Sequence, residues 1–198
     1  RLTVPAVRQN GGSVIYRLMT YKKILSVRQN TDRKPFYNDL TLYKKNTASL
    51  MFQNILVVCM GNICRSPIAE RILQKKLPGL RVSSAGINAL AGKDADFQAI
   101  KTALKHGVVV AGHTARQLTP EMCDTADLIL VMEPAHIDMV ADILPSARGK
   151  TILLAQWLPK KKIPDPFKQS SEMFEAVFQQ IQSAAETWAE KLNGPTPA

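Results

Sequence analysis

The run Asn54-Ile55-Leu56-Val57-Val58-Cys59, and what comes straight after it, constrain this chain more than any other feature. An apolar stretch of this length without polar alternation is what a strand buried on both faces requires. It is followed by Met60-Gly61-Asn62-Ile63-Cys64-Arg65-Ser66-Pro67. Pro67 suits the first turn of a helix, where its missing N–H is no loss. Ile68, Ile72 and Leu73 then fall on one helical face, and Pro78-Gly79 ends the segment. A buried strand leading through a short loop into a helix belongs to parallel α/β architecture. In such folds ligands bind beyond the carboxyl ends of the strands, at a topological switch point. The first strand ends at Cys59.

The remaining pattern extends this reading. A second strand is expected over residues 80–85. A helix is expected over 94–106, with Phe97, Ile100 and Leu104 at helical spacing and Gly107 as its stop. Two more buried strands, 128–132 and 151–154, flank a helix over Pro134–Ile143. A last helix opens near Ser170 or Ser171, buries Phe174, Val177, Phe178, Ile181 and Trp188, and ends at Asn193-Gly194-Pro195. The expected fold class is α/β: a single three-layer domain with a central four-stranded parallel sheet flanked by helices, and a phosphate-binding loop after the first strand.

Charge is unevenly spread. The net +10 divides into ten basic and two acidic residues over 1–50, against sixteen basic and fourteen acidic over 51–198. The first segment shows no period of 2 or 3.6, and its repeated Val-Arg-Gln-Asn at 7–10 and 27–30 is too little for a repeat architecture. It reads as a basic extension, disordered or non-native, ahead of a start at Met51; a targeting arm and a nucleic-acid or lipid-binding arm are the competing readings. Residues 51–193 read as the catalytic domain and 194–198 as a tail. The near-neutral domain lacks a nucleic-acid reader motif, so no nucleic-acid partner is expected. No apolar run reaches the ~18 residues of a membrane span, so no stable membrane insertion is expected. Three cysteines, two of them close together, suit a reducing compartment and a cytoplasmic location rather than a disulfide framework.

The loop after the first strand suits a phosphate dianion. Gly61 and Asn62 tolerate positive φ, which lets backbone N–H groups curl inward as an anion nest. The following helix adds its positive N-terminus, and Arg65 a planar fork that can grip two oxygens. Such a field favours the thiolate of Cys59. Ser66 is placed to hydrogen-bond that thiolate and later to ease its departure.

The stretch 58–67 resembles the active-site loop of the low-molecular-weight protein-tyrosine phosphatases. The resemblance runs from about Met51 to Asn193 and includes Ser83-Ser84-Ala85-Gly86, His113-Thr114-Ala115-Arg116-Gln117, residues 127–132, and Pro164-Asp165-Pro166-Phe167. Residues 87–93 and 163–167 are most similar to the bacterial branch that partners tyrosine autokinases of exopolysaccharide and capsule export. The resemblance implies that Cys59 attacks phosphorus to form a cysteinyl-phosphate, that Arg65 steadies the equatorial oxygens, and that Asp165 serves as acid and then base. It implies that Met60, Gly61, Asn62, Ile63, Cys64, Ser66, Leu90 and Phe167 surround the substrate, while Ser84 and His113 support the loop, His113 through Asn62. It implies no metal and no organic cofactor. The resemblance implies as partner a phosphotyrosine protein, a membrane tyrosine autokinase.

Blander readings stand beside several of these. Asp-Pro is a common turn pair. Cys64 is either a small buried residue or a redox partner of Cys59, Cys123 reads as an inert thiol, and His106 and His136 have no expected catalytic task. Two features depart from the branch. Phe167 stands where many relatives have Tyr, and the run Lys160-Lys161-Lys162 is unusual; it is read as a solvated loop, or as an overhang that attracts acidic phosphopeptides. Two enzymes on the same fold are rivals. Arsenate reductase needs further resolving cysteines, and phosphoarginine phosphatases carry Thr where Ile63 stands.

Overall fold

Hydrophobic alternation is absent from the strands because the sheet has no wet face. The computed structural model describes residues 52–193, so the expected extension 1–50 and tail 194–198 lie outside the described residues. Four strands, β1 (Asn54–Cys59), β2 (Arg81–Gly86), β3 (Leu128–Val131) and β4 (Thr151–Leu153), pair in the order β2-β1-β3-β4. All pairings are parallel. Leu56, Val58, Ile129, Val131 and Leu153 join one core cluster with Ala126, Val140 and Ala147. Alternate residues Ile55, Val57, Leu128 and Leu130, equally buried, point to the opposite face. Every strand crosses to its parallel neighbour through helix or loop, as parallel pairing demands.

On one side lie α1 (Arg65–Lys76), α2 (Phe97–Lys105) and α5 (Ser171–Asn193), with α1 packed against β1, β2 and α5. On the other lie α3 (Pro120–Thr125), α4 (Pro134–Ile143) and a 3-10 helix, Pro145–Lys150. Trp188 of α5, fully buried, donates its indole N–H to Leu154 O at 2.7 Å and ties the longest helix to the end of β4. Pro67 does sit in the first turn of α1, and Gly107 (φ 70°) follows α2 as its left-handed terminus. Among the described residues no helix is long and apolar enough to cross a membrane.

The expectation for 94–106 needs correction. The helix is shorter, starting at Phe97 behind Asp96, whose carboxylate accepts the N–H groups of Gln98 and Ala99. Its buried face is Ala99, Thr102 and Ala103, while Phe97 and Leu104 are 77% and 62% exposed. The physical reason is approach distance: α2 lies against α5, and small side chains let the two helices close. Helices α3 and the 3-10 turn, each six residues long, are too short to leave a periodic signal.

Candidate active site

The loop between β1 and α1 is held from outside by its carbonyls. Cys59 O, Met60 O, Gly61 O and Ile63 O accept the N–H groups of Ile87, Asn88, Leu90 and Asp96 at 3.0, 3.0, 3.1 and 2.8 Å. Asn62 O accepts from His113 Nε2 at 2.7 Å, which assigns the proton to that nitrogen. Five successive carbonyls therefore face outward, which leaves the loop amides to the hollow. The close approach needs Gly86 at the end of β2, where a Cβ would stand 2.7 Å from Met60 O. Within the loop, positive φ falls on Asn62 alone (55°); Gly61, expected to share it, does not. Gly61 instead lines the hollow, where a Cβ would meet Ile63 and Leu90.

Asn62 is fully buried and every polar atom of its side chain is used. Its Nδ2 donates to Ser66 Oγ (2.8 Å) and Ser84 Oγ (2.9 Å), and its Oδ1 accepts the Arg116 N–H (2.9 Å). Ser84 in turn donates to Glu70 Oε2. With Asn62 supplying a proton to its oxygen, Ser66 has its own hydroxyl hydrogen left for Cys59 Sγ, 3.0 Å away. The Asn62 N–H also reaches that sulfur at 3.3 Å. The sulfur thus faces two donors, the Ser66 hydroxyl and the Asn62 N–H.

Arg65, 2% exposed, lies at the start of α1. Its Nη1 donates to Glu133 Oε1 (2.7 Å) and Ile163 O (3.1 Å), and its Nη2 to Asp165 Oδ2 (2.5 Å). Its buried Nε has no hydrogen-bond partner among the described residues. Glu133, just before α4, also takes Lys162 Nζ at 2.9 Å on its other oxygen. Burial pushes the Glu133 carboxyl up, but Lys162 and Arg65 outweigh it and hold the group below its ordinary value. Burial, then the charge of Arg65, lowers His136, so it is neutral. Burial first, then the charges of Asp96, Cys59 and Asp165, raises Cys64 strongly, and it stays a protonated thiol.

Cys59, Met60, Gly61, Ile63, Cys64, Arg65, Leu90, Asp165 and Phe167, all anticipated, line one cavity of about 160 Å³ together with Asn88, which was not. Asn62, Ser66, Ser84 and His113 form the bonded layer beneath it. Glu70, Arg116 and Glu133 were missed. Their partners lie 14 to 68 positions away; Glu70 and Glu133 stand in no motif, and Arg116 lies in the stretch 113–117, where only His113 was given a role. Lys160 and Lys161 are exposed, as a solvated loop would have them, whereas Lys162 is engaged. His106 pairs with Glu175 and stacks on Phe178, outside the cavity. Cys123 is buried in the core cluster behind the sheet.

Residues 54–196 match the family described as low molecular weight phosphotyrosine protein phosphatase. The chain is 51% identical over 146 residues to the low molecular weight protein-tyrosine-phosphatase Etp of Escherichia coli, covering 74% of this chain and 99% of Etp. Its structure is similar to that of Vibrio vulnificus Wzb in complex with benzylphosphonate, with a TM-score of 0.69 and 52% identity over 71% of this chain and 99% of that one. The YwlE arginine phosphatase of Geobacillus stearothermophilus shares the fold at lower identity, with a TM-score of 0.67 and 37% identity over 71% of this chain and 92% of that one.

Proposed function

The chain belongs to the low molecular weight phosphotyrosine protein phosphatases, and we propose that it hydrolyses phosphotyrosine through Cys59. The sulfur attacks in line, so an S–P bond forms as the P–O bond to the tyrosine ring breaks. Protonated Asp165 gives its proton to the departing phenolate. Water then attacks the phosphocysteine, Asp165 takes one of its protons, and inorganic phosphate leaves. The regenerated thiolate is received by the Ser66 hydroxyl, 3.0 Å from it.

The phosphoryl oxygens fall to the inward amides and Arg65, the preorganised donors on which phosphoryl transfer depends. Arg65 Nε has no other partner among the described residues, and Nη2 is held only by Asp165. A phosphate dianion draws Nη2 to itself and frees Asp165 to take up its proton. The observation that carries this reading is the convergence of Cys59, Arg65 and Asp165 on one cavity walled by Ile63, Leu90 and Phe167. Such walls suit a phenyl ring, and benzylphosphonate, bound by the Vibrio relative, pairs a benzyl ring with a phosphonate. A short serine phosphate would leave those walls unfilled.

The natural substrate is the tyrosine-rich tail of a membrane tyrosine autokinase of exopolysaccharide export, and the enzyme works on its cytoplasmic side. Ile63 and the lower identity to the arginine phosphatase favour phosphotyrosine over phosphoarginine. Burial of Cys123 behind the sheet speaks against a relay of thiols to the surface. The test is a side-by-side measurement of kcat/KM on phosphotyrosine, phosphoserine and phosphoarginine peptides and of arsenate reduction. Phosphotyrosine is expected to dominate, and comparable efficiency on any of the others overturns the assignment.

A further inference from the structure

The segment carrying Asp165 is joined to the body by few polar side chains, beside the apolar packing of the buried Ile163 and Pro166. Among the described residues, positions 158–168 make two side-chain ion pairs with the rest of the molecule, Asp165 with Arg65 and Lys162 with Glu133. Main-chain bonds at Ile163 add to these: its N–H donates to Met132 O at 3.0 Å, and its carbonyl accepts Arg65 Nη1 at 3.1 Å. In the reaction as read above, the Asp165–Arg65 pair is given up when phosphate occupies Arg65. From that moment the Lys162–Glu133 pair, 2.9 Å long, is the one remaining side-chain ion pair of the segment.

We propose that Lys162 is a positioning residue for phosphoryl transfer, holding Asp165 over the loop through the carboxylate that also anchors Arg65. Glu133 divides its oxygens between the two cations, Oε1 to Arg65 at 2.7 Å and Oε2 to Lys162. One carboxylate thereby sets the spacing between the guanidinium that holds phosphate and the segment that bears the acid. Pro164 transmits the constraint, because its fixed φ lies between Lys162 and Asp165, and Pro166 restricts the backbone of Asp165 itself. Lys162 is 64% exposed and Glu133 20%, so the pair is screened and its leverage modest. That exposure also means that Lys162 can be replaced without disturbing the core.

The inference rests on Asp165 being the acid, and the experiment separates the two claims. kcat/KM is measured across aryl phosphates of graded leaving-group pKa for the full chain, Lys162→Met, Lys162→Arg, Lys161→Met and Asp165→Asn, with inorganic phosphate as inhibitor. Lys162→Met is expected to lose about two- to fivefold on the poorest leaving groups and little on the best. Its inhibition by phosphate should stay unchanged, and Lys162→Arg should restore the slope. Lys161→Met removes the same charge one residue earlier and should leave the series as it was. A uniform loss in Lys162→Met, no loss at all, or an equal effect from Lys161→Met overturns the positioning role. A leaving-group-independent loss in Asp165→Asn overturns the acid assignment itself, and this inference with it.

Discussion

At the scale of single residues, Asn62 does two separable things. Its backbone occupies the left-handed region at φ 55°, and its amide joins Ser66, Ser84 and the Arg116 N–H. Asn62→Gly keeps the turn and loses the amide, whereas Asn62→Ala loses both. Both should lower kcat, and the Ala variant should be less stable than the Gly variant by about 1–2 kcal/mol, read from denaturant midpoints. Equal stabilities would mean that the loop tolerates another backbone path. Cys59→Ser puts a far less nucleophilic oxygen at the attacking position while keeping the hollow. Turnover should vanish and phosphate should still bind; turnover near wild type would falsify the covalent route.

Elements in this molecule are positioned by small residues at their contacts. The end of β2 meets the loop because Gly86 has no Cβ, and Gly86→Ala puts a carbon 2.7 Å from a backbone oxygen. It should cost about 1–3 kcal/mol by overpacking and reduce kcat by shifting the loop. Helix α2 shows the same rule on a larger surface. Ala103→Leu, at the buried face, should destabilise by about 1–3 kcal/mol. Phe97→Ser, at a site 77% exposed, should stay within about 0.5 kcal/mol. The reverse ranking in thermal melts would mean that α2 packs through the Phe97, Ile100 and Leu104 spacing expected from the sequence. Such an expectation comes from spacing alone, which gives the stripe but not the partner it meets. For α2 the partner is α5, more than sixty positions away along the chain.

For the whole molecule, acid stability follows from the groups around Arg65. His136 is depressed below its ordinary value of 6.5 by burial, then by the charge of Arg65. The unfolded chain therefore takes up this proton first as pH falls. The contribution is complete above 6.5 and is lost progressively as pH drops through that value. Glu133, lowered from its ordinary 4.5, extends the loss at more acid pH. The slope is at most about 1.4 kcal/mol per pH unit for each proton taken up. Melting temperature should fall from pH 7.5 to 5, and less steeply in His136→Asn; identical slopes would acquit the histidine.

What the amino-acid order determined by itself is what the chain can express within one turn of structure. An apolar run without alternation gave β1, a proline in the first helical turn gave the start of α1, and the residues between them gave a loop made for an anion. Cys59 and Arg65 are legible because both belong to that stretch and their chemistry is visible without neighbours. Asp165 stood out by resemblance, since an Asp-Pro pair has no local signature of its own. Tertiary structure decided the remainder. Arg65 meets Glu133 across 68 positions and Asp165 across 100, and Lys162 acquires a partner that nothing beside it in the chain suggests. Hydrogen bonds and ion pairs depend on distances of about 3 Å. Separation along the chain does not encode such distances until parallel strands and their crossover helices have brought the loops to one edge of the sheet.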